Sequence, residues 1–346
     1  MIIMKKLLML VLGLFCFTAA LPLATLRTAG EDETGVPAPV RAWPTVAESG
    51  LPAADEPGFD RDSRVTVWWE GECRELSLRD YLIGVVAAEM PAGFPEAALR
   101  AQAVAARTYV LYKLALYSTP PTEHHGAQLC ADPGHCEAFC DLTVQAAQLW
   151  GGNAALYTQR IAQAVDETAG QILTWQGQPI AAVFCAASAE TTESAADVWG
   201  RDIPYLINVE SPGGSDCSQY DVETAVPRAE FEAAVRQALP SADLSGSPSQ
   251  WFQNVQRSPA GGVKTLTLGG AETTGAALRS LFSLPSANFT AAARGDQVIF
   301  HTTGYGHGVG LSQYGARYYA LAGRTYADIL CHYYPGTKLE TRTDPV

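Results

Sequence analysis

Apolar residues recur at helical spacing from Leu78 onward. Leu78, Leu82, Val85, Val86 and Glu89 fall on one face. A carboxylate thus ends an apolar stripe instead of lying on a polar side. Ser77 supplies an N-cap, and Asp80 is placed to return a bond to its amide. Met90-Pro91 stops this helix, because the residue before a proline avoids the α region. Pro95 suits the first turn of a second helix. Ala97, Ala98, Ala101, Ala103, Ala105 and Ala106 favour that helix and let another element approach closely. Arg100 and Arg107 share one of its faces.

Elsewhere the pattern is mixed. Arg64–Trp69 reads as a β-branched and aromatic strand that turns at Glu70-Gly71. Val144–Ala169 reads as helix ending at Gly170. Ile172–Trp175 and Ile180–Phe184 form a hairpin about Gln176-Gly177. A helix from Pro227 to Leu239, strands at Val263–Leu268 and Gln297–Thr302, and helices at Ala316–Ala322 and Tyr326–Tyr333 complete the pattern. The expectation is a mixed α/β (α+β) fold, one elongated domain over residues 63–346 with a substrate cleft.

The N-terminus sets the compartment. Lys5 and Lys6 precede an apolar run from Leu7 to Leu26, long enough to span a bilayer. Glu31, Asp32 and Glu33 follow, so the positive-inside rule puts the body of the chain outside the cytoplasm. Residues 1–28 are expected to be a single-pass membrane anchor. The alternative is a signal peptide cleaved near Ala19-Ala20, which also exports the body. Residues 29–62, rich in Pro, Ala, Gly and acids, read as a linker.

Net charge of −13 over 346 residues argues against binding a phosphate backbone. Of eight cysteines, Cys16 lies in the apolar run; the remaining seven cannot all pair with one another.

Three places carry candidate chemistry. Burial at the end of the stripe raises the pKa of Glu89, as a general acid requires; the plainer alternative is a frayed helix end in water. Between His124 and Cys140, three histidines and three cysteines fall close together. His124, Cys130, His135 and Cys136 can complete a closed, structural zinc shell, with His125 not separable from His124 by spacing. The alternative there is a disulfide loop, Cys130–Cys140 or Cys136–Cys140. Lastly, Gly304–Ala316 (GYGHGVGLSQYGA) surrounds His307 with glycines that permit positive φ. No βαβ unit with a downstream acid supports reading it as a dinucleotide loop.

The stretch YLIGVVAAEMPAGFPEAALRAQAVAARTYVL resembles the opening motif of the stage II sporulation protein D family. The likeness continues through VWG at Val198–Gly200, PYL at Pro204–Leu206 and GHGVGLSQYGA, covering nearly all of 64–346. It implies a membrane-anchored lytic transglycosylase that cuts the MurNAc–GlcNAc bond of peptide-stripped peptidoglycan during engulfment, leaving 1,6-anhydro-MurNAc. It implies Glu89 as catalytic acid/base, and a cell-wall amidase and a membrane scaffold protein as partners. Arg107 and Tyr205 match functional family positions, while Ser188, His307, Ser312 and Gln313 become candidates for lining the glycan cleft. Arg107 also admits a purely structural ion pair. The chain departs from the family pattern at Glu137, Phe139, Cys185, Ala189-Glu190, Ile207 and Leu311.

The chemistry of such an enzyme needs one carboxyl, because the sugar's own 6-hydroxyl replaces water; hydrolases use two. No paired acidic motif stands beside Glu89 in the sequence. Two rival readings remain: an amidase modifier using the same cleft without cutting, and a zinc or cysteine hydrolase built on the 124–140 cluster or on Cys185 with His307.

Overall fold

The computed structural model describes residues 58–346 apart from position 118. The expected anchor at 1–28 lies outside the described residues. Among those described, no helix is long and apolar enough to cross a membrane.

The chain enters through α1 (Phe59–Asp62), then β1 (Arg64–Trp69) and β2 (Glu72–Ser77), an antiparallel hairpin. The expected linker therefore gives up its last residues to the fold. Phe59 and Asp60 are 1% and 2% exposed: Phe59 joins the main apolar core, and Asp60 pairs with the buried Arg107 guanidinium. Next come α2 (Leu78–Glu89), with Ser77 accepting from the Asp80 amide at its start, and α3 (Glu96–Leu116). β3 (Leu129–Cys130) runs parallel to β1.

The long helix expected over 144–169 is broken into α4 (Leu142–Trp150) and α5 (Ala154–Asp166). Gly151 and Gly152 stand at the break, where glycine is the weakest helix former short of proline. β4 (Gln171–Trp175) turns at Gln176-Gly177 as expected, but its partner β5 is only Gln178–Pro179. The chain then leaves the ladder and contributes β6 (Phe184–Cys185) elsewhere, followed by α6 (Ala195–Trp199).

A second lobe follows. It comprises β7 (Asp221–Pro227), α7 (Arg228–Ala238), β8 (Phe252–Arg257), β9 (Val263–Leu268), β10 (Ala271–Thr274), α8 (Gly275–Phe282), β11 (Phe289–Arg294) and β12 (Gln297–Thr303). The chain returns through β13 (Leu311–Ser312), α9 (Gln313–Leu321), α10 (Tyr326–Tyr333) and β14 (Lys338–Thr341). β14 closes on β4, and β13 pairs parallel with β6.

The fold is thus mixed α/β, as expected. Among the described residues the apolar core divides into a main cluster around α2, α3, α9 and α10 and a separate one in the second lobe. In the latter, Phe231 stacks on Trp251 and Phe282 with centroids 5.6 Å and 5.0 Å apart. Burying large aromatic surface in this way stabilises a small lobe efficiently.

Candidate functional site

Glu89 ends α2 as the stripe predicts, and the residues around it come from distant parts of the chain. Gly84, one turn earlier, is what permits this. A Cβ there would stand 2.3 Å from Phe139 Cε2 and 2.5 Å from the Cys140 carbonyl. Without one, the 137–140 segment crosses close over α2, and the Cys140 amide donates to the Gly84 carbonyl at 3.3 Å. The Ala138 amide then reaches Glu89 Oε1 at 2.8 Å. Gln313, at the start of α9, also bonds to the Glu89 carboxyl. Gln313 Nε2 in turn donates to Gln102 Oε1 of α3 at 3.3 Å. The residue as a whole is half-buried while its carboxyl is enclosed. Desolvation raises its pKa to about 7, against the opposing pull of the Ala138 and Gln313 bonds.

Glu137 is the feature that sequence reasoning missed. It is 2% exposed, and neither carboxyl oxygen has a hydrogen-bond partner among the described residues. Burial first, and the Glu89 charge second, push its pKa well above the usual carboxylate range. A second carboxyl therefore does sit near Glu89, contrary to the expectation of none, although the two are far apart in sequence. Being sealed from solvent, it is not placed to touch a sugar.

The histidine–cysteine cluster assembles beside the same segment. His124 Nε2 lies 2.9 Å from His135 Nδ1 and 3.3 Å from Cys136 Sγ. His135 Nδ1 lies 3.6 Å from Cys130 Sγ and 3.7 Å from Cys136 Sγ. All donor atoms fall within 4.8 Å of one another. Metal–ligand bonds of about 2.0–2.3 Å to two nitrogens and two sulfurs give tetrahedral edges of roughly 3.3–3.8 Å. The four donors are close enough together that they could hold a metal ion, with no position left for water. Burial lowers the His124 pKa, so its imidazole is neutral, as a ligand must be. The His124–His125 ambiguity also resolves. His124 is 0% exposed within the cluster, while His125 turns outward onto Trp68 with ring centroids 4.3 Å apart. Neither alternative disulfide, Cys130–Cys140 or Cys136–Cys140, is present among the described residues.

The other expected site residues divide sharply. Arg107 is 0% exposed and does not face a cleft. Its guanidinium grips Asp60 through bonds of 2.6–3.0 Å and donates to the Val165 and Gln171 carbonyls. It ties α1, α3 and the end of α5 together, the structural alternative left open above. Tyr205 is 9% exposed, packs on Trp175 and accepts the Ala181 amide with its hydroxyl at 3.2 Å. Ser188 is buried and donates to Ser211 Oγ at 2.7 Å. Ser312 is the N-cap of α9 and also accepts the Ser188 amide.

His307 pins its own loop. Nδ1 accepts the Val309 amide at 3.0 Å, and the ring lies against the Phe184 backbone. Burial, then the nearby Arg279 charge, lowers its pKa to about 4. Gly306 has φ of +110°, and a Cβ there would stand 2.7 Å from Cys185 Cβ. This close approach lets the loop lie on β6. Of the expected lining residues, Gln313 alone is brought to the carboxyl. Exposed Trp199 lies over His307 at 5.3 Å between centroids.

The profile of the family described as "Stage II sporulation protein" matches residues 70–175, which hold Glu89 and the histidine–cysteine cluster. "Stage II sporulation protein D" of Bacillus subtilis (strain 168) is 34% identical over 264 residues, 76% of this chain and 74% of that one. The Bacillus amyloliquefaciens protein of the same name is 35% identical over the same shares. An "Amidase enhancer" of Bacillus subtilis is 26% identical over 317 residues, 75% of this chain and 40% of that one.

Proposed function

This chain belongs to the stage II sporulation protein D family, and we propose that it is a peptidoglycan lytic transglycosylase with Glu89 as its single acid/base. The observation that supports this most is the enclosed carboxyl of Glu89, which accepts the Ala138 amide and whose pKa burial pushes up to about 7. Its proton passes to the glycosidic oxygen as the MurNAc C1–O bond breaks. The ionised carboxylate then takes the proton from the same sugar's 6-hydroxyl as O6 bonds to C1. The products are 1,6-anhydro-MurNAc and a new GlcNAc 4-hydroxyl; no water is consumed and Glu89 regains its proton. The sealed position of Glu137 favours this reading over a hydrolase, whose two carboxylates must flank the bond.

Gln313 and the Ala138 amide orient the carboxyl and stabilise it when ionised. His124, Cys130, His135 and Cys136 would hold a structural zinc ion, which would clip the segment carrying Ala138 in place. The family name and the apolar N-terminus support an exported, membrane-anchored enzyme. It would act on peptide-stripped glycan during engulfment in sporulation, beside an amidase and a membrane scaffold protein.

The second reading is a non-catalytic amidase modifier, which the relative named "Amidase enhancer" favours. Incubating the chain with peptide-free glycan and assaying anhydro-MurNAc ends separates the two. Wild type yields them and Glu89→Gln does not. Absence of product from wild type, or an equal yield from the variant, overturns the catalytic reading.

A further inference from the structure

The chain carries 36 acidic and 23 basic residues, and most partly buried arginines of the main lobe are matched to carboxylates. Arg279 is not. It projects from α8 of the second lobe toward the glycine loop, close enough for its charge to act on His307, Cys185 and Tyr305. Its Nε donates to the Leu284 carbonyl at 3.3 Å, which fixes the side chain against the turn closing α8. That turn is itself docked on the loop, since the Gly306 amide donates to the Pro285 carbonyl at 3.0 Å. The terminal guanidinium nitrogens have no hydrogen bond or ion pair among the described residues, and they are not sealed from solvent. Glu89 lies at one end of the 304–313 segment, through Gln313; Arg279 faces the other end.

We propose that Arg279 is a recognition residue for a carboxylate on the glycan, the lactyl carboxylate of a muramic acid that carries no stem peptide. This rests on the reading of the substrate as peptidoglycan. The sugars themselves are neutral, and an attached peptide converts the lactyl carboxylate into an amide. A half-buried guanidinium with free, planar donors suits a carboxylate and gains little from an amide. The second lobe thereby reads whether a strand has been stripped, while the main lobe holds the acid.

The test uses the full chain in non-ionic detergent with Glu89→Gln, so that strands are bound but not cut. Soluble peptide-free strands are compared by calorimetry with the same strands amidated at the lactyl carboxylate with methylamine. Amidation is expected to weaken binding at least about tenfold, or ~1.4 kcal/mol. Adding Arg279→Gln should weaken binding of the free-carboxylate strands by the same factor and abolish the discrimination, whereas Arg279→Lys retains part of it. Discrimination that persists in a folded Arg279→Gln variant overturns the proposal, as does equal binding of both strands or binding of neither. If wild type releases no anhydro ends while carboxylate discrimination holds, the transglycosylase reading has failed and this one has not.

Discussion

Replacing Glu89 with Gln should change the pH dependence of stability in a way set by the enclosure of its carboxyl. The folded pKa is about 7, against 4.5 for the ordinary carboxyl. Below pH 4.5 both folded and unfolded chains hold the proton, and the group costs nothing. Between 4.5 and 7 the folded chain keeps the proton that the unfolded chain has released, so stability falls as pH rises. Above 7 the cost is complete: about 2.5 pH units at about 1.4 kcal/mol each, or ~3 kcal/mol. Glutamine is neutral throughout and keeps a carbonyl oxygen to accept the Ala138 amide. Urea denaturation of both proteins from pH 4 to 8.5 isolates the effect, since the titrating groups that do not feel the Glu89 charge cancel in the difference; Glu137, which does feel it, adds to the same effect. The variant should gain about 3 kcal/mol relative to wild type between the ends of that range, while losing turnover at all pH values. A difference that stays flat with pH refutes the claim that the carboxyl is desolvated, and with it the argument for Glu89 as an acid at neutral pH.

Other expectations follow from neighbouring features. Asp60→Ala and Arg107→Ala should each lower the unfolding free energy by about 3–5 kcal/mol, because each strands a buried charge; a stable Arg107→Ala with only a raised KM would return that residue to the substrate. Gly84→Ala should cost about 1–3 kcal/mol by pushing Phe139 and Cys140 off α2, and kcat should fall as the Ala138 amide leaves Glu89. Unchanged kcat would mean that the amide does not position the acid. Stripping metal with a strong chelator should lower Tm by more than about 5 °C, with zinc restoring it; an unmoved Tm would argue against an ion in the cluster.

How much of this was legible beforehand depends on the range of the interaction. The Glu89 stripe, the Ser77 cap and the stop at Met90-Pro91 are local and read directly from periodicity and backbone restriction. The candidate metal donors also lie within a short stretch, so spacing nominated them, although only packing chose His124 over His125. The glycine loop was legible as a tight backbone feature, but not that the His307 ring would be turned inward to hold it through Nδ1.

What only tertiary structure decided is who meets whom across the chain. Glu137 sits near Glu89 because the absence of a side chain at Gly84 lets one segment cross another; no period in either segment records that crossing. Arg107 looks the same in sequence whether it faces a glycan or Asp60, and the folding of Phe59–Asp62 onto the main lobe settles it. Arg279 lies in a lobe to which the sequence assigned no chemistry, yet packing aims it at the glycine loop. Periodicity fixes which face of an element is apolar, whereas the partner on that face is chosen by close packing between elements distant in the chain. The sequence by itself determined that a carboxylate ends a buried stripe; the fold supplied the enclosure that raises its proton affinity and the amide and glutamine that oppose that rise.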